Sequence, residues 1–391
     1  MIKRELSSSI QNAFKQYPII SVTGPRQSGK TTLVKNLFPD IAYVNLESPD
    51  ARAYANEDPR SFLTEFPDSV ILDEVQRSPH LFSFIQTLSD ERNRPSQFIL
   101  TGSHNFLLME NITQSLAGRA AIFKLLPLSI HELETAKLLN KQSEVHIYTG
   151  FYPRLYDQNI PAYEYYQNYI QTYIERDVRQ IKNITDLNTF QRFLKLCAAR
   201  TGQILNLSSL ANDCGVTHNT IKDWISILQT SYIVHLLYPH YKNFSKRLIK
   251  MPKLYFLDPG LVCTLINIET EDQLKTHYLR GELFETMIVS EFLKYRFNSG
   301  KESNCYFWRD KMGREIDLIV EKAGGLTPIE IKSGKTITED YFKNIRYYCS
   351  LAKMDTASAF LIYNGSENQS RKTGHVIGWD ALSHQMRNMC L

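Results

Sequence analysis

The segment Gly24–Thr31 has the spacing of a phosphate-binding loop. It reads GPRQSGKT, follows an apolar run and precedes an expected helix start at Thr32, so it fits G-x-x-x-x-G-K-[ST]. The two glycines allow several backbone N–H groups to point at one phosphate, and the helix N-terminus adds partial positive charge. Lys30 is expected to reach the β- and γ-phosphates of ATP, and the Thr31 hydroxyl to bind Mg²⁺. The expected nucleotide-binding residues are Gly24, Pro25, Arg26, Gln27, Ser28, Gly29, Lys30, Thr31 and Thr32. The alternative is a glycine-containing turn that matches by chance.

Two acidic residues, Asp73 and Glu74, end the apolar run that begins at Val70. A carboxylate at the end of a buried strand needs a partner, because burying an unpaired charge is costly. Magnesium is the expected partner of Asp73, held directly or through water, and Glu74 is expected to polarise the attacking water. The alternative is a strand end that simply reaches solvent.

Polar residues also follow the next apolar run, in Thr101-Gly-Ser103-His-Asn105. A side chain here would lie between the two nucleotide-bearing loops and could orient water against the γ-phosphate. Ser103 is the favoured catalytic candidate, with Thr101 and Asn105 as alternatives, and an ordinary strand-to-helix turn is the competing interpretation. Arg119 is a further candidate for contact with a γ-phosphate, in its own subunit or in a neighbour's, or else a plain surface arginine.

These residues need a scaffold, and the pattern of apolar runs predicts one. Longer segments with helical spacing separate the runs, and such alternation predicts an α/β fold with a doubly wound parallel sheet. In such sheets ligands bind at the carboxyl ends of the strands, where the candidate residues lie. The expected strands are Ile19–Val22, Ile41–Leu46, Val70–Leu72, Phe98–Leu100 and Ala121–Leu126.

The motifs GPRQSGKT, VILDE, FILTGS and LAGR, in this order, resemble those of an AAA-type P-loop ATPase. The chain resembles a bacterial and archaeal family that joins such a domain to a C-terminal domain of unknown function with a restriction-endonuclease-like pattern. Further matching segments are PLSIHE at 127–132, FLDPGL at 256–261 and GELFE at 281–285. The resemblance implies ATP and Mg²⁺ as cofactors over residues 1–135. The chain differs from many AAA ATPases because the polar residue after its fourth strand is Ser or Thr rather than Asn.

The middle of the chain predicts a helical connector and then a winged helix-turn-helix. An aromatic stripe in Tyr163–Ile181 has helical spacing, which is typical of core packing, and we expect a helical lid at 136–189. Residues 190–270 predict two short helices around a glycine turn, followed by two strands around a basic turn. That turn carries the candidate nucleic-acid contacts Lys242, Lys246, Arg247 and Lys250. The alternative is a winged helix that connects domains or binds protein.

The last predicted domain, 271–391, contains a helix, Gly281–Arg296, and a hairpin with alternating residues. Glu330 and Lys332 lie two apart and share a strand face, and Asp317 projects from the neighbouring strand. With Glu285 on the helix, this set resembles the D…E-x-K site of restriction-like nucleases. Glu285, Asp317 and Glu330 would hold Mg²⁺ there, and Lys332 would orient water. A non-cutting relic and plain surface charges are the alternatives.

The composition is that of a globular protein of several domains. The chain has 391 residues, 43% hydrophobic and 22% charged, with a net charge of +4 that is too small to indicate a partner. The dispersed cysteines predict reduced thiols, and no apolar stretch reaches the about 18 residues of a membrane helix. The sequence therefore predicts a cytoplasmic protein.

Two hypotheses follow from these patterns. The first is a Mg²⁺-dependent ATPase that acts on nucleic acid through the winged helix and the nuclease-like domain. The second is an ATP-dependent switch that binds a protein partner, with an inert C-terminal domain. Oligomers are compatible with both, because Arg119 could act in a neighbouring subunit.

Overall fold

The computed structural model describes residues 2–102, 116–174, 186–240 and 251–390. They form two compact units. The first unit comprises Met1–Leu128, Thr230–Tyr232 and Phe297–Glu302, and the second comprises the remaining segments, Ser129–Gln229, Ile233–Arg296 and Ser303–Leu391. The division into four domains at 135, 189 and 270 stays a prediction.

A parallel sheet forms the centre of the first unit, as the sequence predicts. Its strands are β1 (Ile19–Thr23), β2 (Ala42–Asn45), β3 (Val70–Asp73), β4 (Phe98–Gly102) and β5 (Ala120–Lys124). Their order is β2-β3-β4-β1-β5, and every neighbouring pair is parallel. The order places the ends of β1, β3 and β4 side by side, so the polar residues that follow these strands meet at one edge.

Helices cover both faces of this sheet. They are α1 (Ser7–Phe14), α2 (Lys30–Leu37), α3 (Pro49–Glu57), α4 (Pro59–Thr64) and α5 (Leu81–Arg92), with a 3-10 turn at Val75–Arg77. Ile19 and Ile20, neighbours on β1, are fully buried in two different hydrophobic clusters. Because successive strand residues point to opposite faces, this burial on both sides explains why the strands read as continuous apolar runs.

Short helices open the second unit. They are α6 (Ile130–Thr135), α7 (Ser143–Thr149), α8 (Pro153–Gln158) and α9 (Ala162–Tyr169), continued by a π-helical turn at Ile170–Ile174. Tyr166 is fully buried and donates a hydrogen bond to the Asp258 carboxylate at 2.7 Å. Tyr166 is therefore a core residue, as the spacing predicts, whereas Tyr163 is only half-buried. The rest of the predicted helix to Ile181 extends beyond the described residues.

A group of three helices and three strands follows. Its elements are α10 (Leu187–Ala198), β6 (Gln203–Ile204), α11 (Leu207–Cys214), α12 (His218–Thr230), β7 (Val234–Leu237) and β8 (Lys253–Phe256). The strands form an antiparallel sheet in the order β6-β8-β7. Strand β7 begins later than the predicted Ser231, because Tyr232 has a φ of +56°, which is incompatible with an extended strand.

The C-terminal part of the second unit is a mixed sheet with helices. Its elements are α13 (Pro259–Leu265), α14 (Arg280–Asn298), β9 (Cys305–Arg309), β10 (Glu315–Lys322), β11 (Gly325–Lys332), α15 (Lys343–Ala352), β12 (Phe360–Tyr363), β13 (Gln369–Arg371), β14 (Gly374–Gly378) and α16 (Leu382–Cys390). Short 3-10 segments lie at Glu271–Lys275, Glu339–Phe342, Thr356–Ser358 and Trp379–Ala381. The strand order is β13-β14-β12-β11-β10-β9. Strands β10 and β11 form the predicted antiparallel hairpin, whereas β11 and β12 run parallel.

Strand β10 is irregular near its start. Its pairing with β9 shifts register between Ile316 and Ile319, and both residues pack in the same hydrophobic cluster although they lie three apart. The irregularity frees Asp317, whose carboxylate accepts a hydrogen bond from the backbone N–H of Ile331 on β11 at 2.7 Å. Bulges of this kind re-aim side chains next to functional sites.

The six cysteines are all buried free thiols. Burial raises the pKa of the Cys349 thiol to about 11 and that of the Cys390 thiol to about 12. Such thiols stay protonated and unreactive. Among the described residues, every helix is too short or too polar to cross a membrane.

Candidate functional site

The predicted phosphate-binding loop leaves the carboxyl end of β1 and enters α2. Gly24 has a φ of +150°, and a Cβ atom there would lie 2.1 Å from the Leu125 carbonyl oxygen. Gly29 has a φ of +91° and directly precedes α2. The loop therefore needs glycine at both positions, for backbone conformation and, at Gly24, for lack of space.

A buried arginine braces this loop, and the sequence analysis missed it. Arg4 donates to the Ser28 carbonyl at 2.7 Å and to the Leu126 carbonyl at 2.6 Å. It thereby ties the loop to the chain after β5. No local signal could have found this role, because the partners lie 24 and 122 residues away in sequence.

Lys30 lies on the first turn of α2, with its ammonium over the loop backbone. It donates to the Gly24 carbonyl at 3.1 Å and to the Pro25 carbonyl at 2.8 Å, and the residue is only 6% exposed. A lysine held in the concavity of such a loop is placed to bind phosphate oxygens. The buried Ser28 hydroxyl in the same loop has no hydrogen-bond partner within the part of the chain that the structure describes.

The Asp73 carboxylate lies at the end of β3 and gathers three hydroxyl groups. Thr31 and Tyr43 each donate to its Oδ2 atom at 2.8 Å, and Thr101 donates to Oδ1. Burial, followed by the hydrogen bond to Asp73, raises the pKa of Tyr43, which therefore stays a donor. A carboxylate and a threonine hydroxyl side by side fit the ligand set of Mg²⁺ in a P-loop site. Tyr43 was not a candidate in the sequence, because it lies in the middle of its apolar run.

Glu74 has an unusual backbone conformation at the end of the same strand. Its φ is +55° and its ψ is +42°, in the left-handed region that costs a non-glycine residue roughly 1–3 kcal/mol. Gln76, itself buried, donates a hydrogen bond to the Glu74 carboxylate. Strained residues held by their surroundings cluster at functional sites, and here the turn directs a carboxylate away from β3.

Arg119 lies at the wrong end of the sheet for a role at its own P-loop. It precedes β5, and Ile19, the first residue of β1, pairs with Ala120, whereas the P-loop follows the last residue of β1. Its guanidinium binds both carboxylate oxygens of Asp90, at 2.6 and 2.8 Å. This position does not fit the prediction that Arg119 contacts the γ-phosphate in its own subunit. Contact with a nucleotide bound to a neighbouring subunit stays a prediction. The other fourth-strand candidates, Ser103 and Asn105, lie outside the described residues.

A second cluster of charged side chains lies in the C-terminal part of the second unit. One oxygen from each of Glu285, Glu315 and Asp317 lies within 4.8 Å of the others. Helix α14 supplies the first and β10 the other two. The Lys253 ammonium, from β8, lies 2.8 Å from Glu285 Oε1 and 2.6 Å from Glu315 Oε1. Tyr255, two residues further along β8, also donates to Glu285.

Glu330 and Lys332 extend this cluster along β11. The Lys332 ammonium lies 2.7 Å from Glu330 Oε1 and 3.3 Å from Asp317 Oδ2, so the E-x-K pair faces Asp317 as predicted from strand spacing. The pKa of Glu330 is raised to about 8, chiefly by burial and then by the charge of Asp317, while the charge of Lys332 opposes the rise. Burial likewise raises the pKa of Glu285 to about 7, opposed by Lys253.

Three close carboxylates of this kind fit a divalent cation, which prefers oxygen ligands. The sequence analysis named Glu285, Asp317, Glu330 and Lys332, and the structure brings all four together. It missed Glu315 and Lys253. Glu315 could have been found from the E-x-D spacing at 315–317, since residues two apart can share a strand face. No local pattern pointed to Lys253, because it lies on β8, in the separate sheet of β6, β7 and β8.

The proposed nucleic-acid contacts Lys242, Lys246, Arg247 and Lys250 all lie outside the described residues. The strands on either side of them, β7 and β8, pair as an antiparallel hairpin. Their role therefore stays a prediction from the sequence.

Comparison with known families adds to this geometry. Residues 16–134 match an AAA domain. Residues 140–272 match a domain of unknown function (DUF8612), and residues 280–382 match another (DUF4143). The AAA domain contains the P-loop and Asp73 with its hydroxyl partners. The match and this geometry together support an ATP-binding, AAA-type ATPase.

Relatives extend over most of the chain. An uncharacterized protein of Mycobacterium tuberculosis is 27% identical over 367 residues, which cover 93% of this chain and 80% of the relative. An uncharacterized protein of Methanocaldococcus jannaschii is 23% identical, in an alignment that covers 76% of this chain and 71% of the relative. Among solved structures, a Walker-type ATPase of Pyrococcus abyssi aligns with a TM-score of 0.46 at 13% identity, over 67% of this chain and 94% of that one. The likeness to the AAA domain is thus accompanied by a similarity that continues through both domains of unknown function.

Proposed function

We propose that this chain is a Mg²⁺-dependent ATPase whose turnover is coupled to nucleic acid. The observation that carries the ATPase part is the hydrogen bond from Thr31 to the Asp73 carboxylate, together with the Lys30 ammonium held over the carbonyls of the P-loop. At one edge of a parallel sheet these would be a metal-binding hydroxyl, a metal-binding carboxylate and a phosphate-binding cation. ATP turnover with and without DNA, described at the end of the Discussion, tests the proposal.

Each residue of this site has a distinct role in hydrolysis. The Lys30 ammonium leaves the loop carbonyls and donates to β- and γ-phosphate oxygens, where negative charge develops. Thr31 and Asp73 would hold Mg²⁺, which would neutralise that charge. Glu74 accepts a hydrogen bond from the attacking water and aligns it with the γ-phosphorus, and Gln76 keeps the Glu74 carboxylate in place.

The proposed coupling to nucleic acid rests on the elements α10 to β8. The order helix, strand, helix, helix, strand, strand, with the last strand in the middle of the sheet, is the arrangement expected of a winged helix. The basic residues that the sequence places between β7 and β8 suit phosphate contacts. Nucleotide-dependent movement would reposition this element and the C-terminal carboxylate site.

The carboxylate site is proposed to cut a phosphodiester. Asp317 and Glu330 would hold the cation, and Lys332 would position a water for attack on phosphorus. The water oxygen would bond to phosphorus and release a proton to solvent, while the bond to the leaving oxygen breaks and that oxygen takes up a proton from solvent. A divalent cation bound here would activate the water and neutralise the phosphate. The contacts of Lys332 with both carboxylates, at 2.7 and 3.3 Å, support this arrangement.

We expect wild-type protein to nick plasmid DNA with Mg²⁺ or Mn²⁺, and Glu330→Ala to lose at least about a hundredfold in rate, because the cation that would stabilise developing charge loses one of its ligands. Glu367→Ala is the matched control, since Glu367 is an exposed glutamate of the same domain. It should nick at the wild-type rate. Supercoiled plasmid resolved on agarose over time measures all three proteins. Pure wild-type protein that leaves the plasmid intact in both metals would contradict the nuclease proposal.

A specific observation favours the second candidate function, an ATP-dependent switch that binds a protein partner. The Lys253 ammonium already contacts two carboxylates of the C-terminal cluster. A cluster whose carboxylates are held by a buried lysine can be a structural relic, and in that case ATP would reposition a binding surface instead of a nuclease. Turnover that does not respond to DNA would favour this function.

A further inference from the structure

The Lys253 side chain is unusual because it is a buried cation in contact with candidate metal ligands. Its side chain is 4% exposed, and its ammonium bridges Glu285 and Glu315. These two glutamates and Asp317 are the three carboxylates whose oxygens lie within 4.8 Å of one another. The ammonium therefore contacts two of the three groups that would ligate a divalent cation.

A second observation indicates that the cluster has capacity for more positive charge. Glu330 is 3% exposed, and its Oε2 atom has no partner among the described residues. Its other oxygen binds the Lys332 ammonium, which also contacts Asp317. An unpartnered carboxylate oxygen in a dry site is costly, and a cation would relieve that cost.

The number of charged groups in the cluster supports the same conclusion. Four carboxylates, Glu285, Glu315, Asp317 and Glu330, face the buried Lys253 and the partly exposed Lys332. Arg309 reaches only the outer oxygen of Glu315, at 3.2 Å, from a largely exposed position.

We propose that the Lys253 ammonium and a divalent cation compete for the carboxylates of Glu285 and Glu315, so that Lys253 sets the metal affinity of this cluster. A lysine side chain has a flexible four-carbon stem, so its ammonium can swing away when a metal displaces it. The ammonium lies 2.8 Å from Glu285 Oε1 and 2.6 Å from Glu315 Oε1, and at this range its positive charge repels a divalent cation bound to the same carboxylates. The proposal rests on the carboxylate site of the proposed function, but it concerns metal binding and does not require DNA cleavage.

The test is a calorimetric titration with Mn²⁺ on the full chain without nucleotide, in an Asp73→Asn background that removes the ATPase metal ligand. We expect Lys253→Met to bind Mn²⁺ at least tenfold more tightly than the Lys253 parent. Lys253→Arg keeps the charge and should bind like the parent. Adding Asp317→Asn to Lys253→Met should remove the gain. An affinity of Lys253→Met equal to or weaker than that of the parent would overturn the proposal.

A measurement on wild-type protein covers the case in which Lys253→Met fails to fold. Limited acetylation followed by mass spectrometry reports how accessible the Lys253 amine is. Saturating Mn²⁺ should raise the acetylation rate of Lys253 several-fold and leave that of exposed Lys15 unchanged. A Lys253 rate that does not rise would overturn the proposal. Tight Mn²⁺ binding by Lys253→Met together with intact plasmid in the nicking assay would instead reject only the nuclease function.

Discussion

Glu74→Gln protein binds ATP as tightly as wild type but hydrolyses it about 10²- to 10⁴-fold more slowly, the contribution typical of a positioned general base. Glutamine keeps the size of the side chain and its contact with Gln76, but it lacks the carboxylate that orients and polarises water. Binding of a fluorescent ATP analogue and release of phosphate measure the two properties separately.

The matched control for this variant is Glu57→Gln, because Glu57 is an exposed glutamate at the end of α3 in the same unit. It should bind and hydrolyse ATP like wild type. Full turnover by Glu74→Gln would show that the left-handed conformation of Glu74 serves the fold and not the chemistry, and Thr101 or the fourth-strand loop would then become the first candidates for orienting water.

Lys30→Ala protein loses both nucleotide affinity and turnover. The Lys30 ammonium is the buried cation of the P-loop, and hydrogen bonds to charged groups contribute about 1.5–3 kcal/mol each, which corresponds to roughly 10- to 100-fold in affinity. Because the same ammonium stabilises charge that develops during transfer, turnover should fall further than binding. Equilibrium binding and phosphate release on one preparation measure both effects.

Lys15→Ala provides the comparison for the loss of a positive charge, since Lys15 is exposed and follows α1. Its affinity for ATP should equal that of wild type. Unchanged affinity in Lys30→Ala would contradict the assignment of Gly24–Thr31 as the nucleotide-binding loop.

The sequence predicted those parts of the structure that depend on short-range patterns. All five strands of the first sheet were found near their predicted places. In β1, β3 and β4 burial on both faces leaves a continuous apolar run, whereas the edge strands β2 and β5 are only partly buried. The P-loop was readable because glycine, lysine and threonine act through backbone conformations and contacts within a few residues. The E-x-K pair was readable because Glu330 and Lys332 share a strand face.

The residues that were missed act over long range. Arg4 contacts a carbonyl more than a hundred residues away, and Lys253 reaches its carboxylates from another sheet. The bulge that re-aims Asp317 depends on the pairing of β10 with β9, which no local pattern reports. For Arg119 the sequence left open whether it acts in its own subunit or a neighbour's. The parallel register of β1 and β5 places it at the opposite end of the strands from its own P-loop, and action on a neighbour's nucleotide stays a prediction.

The measurement that tests the central claim most directly is ATP turnover by wild type, with Lys30→Ala as the control, each with no DNA, with duplex DNA and with single-stranded DNA. The account predicts Mg²⁺-dependent turnover by wild type, none above background by Lys30→Ala, and a several-fold increase when DNA is added. Turnover that is equal in both proteins would contradict the ATPase assignment. Wild-type turnover that is indifferent to both kinds of DNA would contradict the coupling to nucleic acid and leave the protein-binding switch as the function to test.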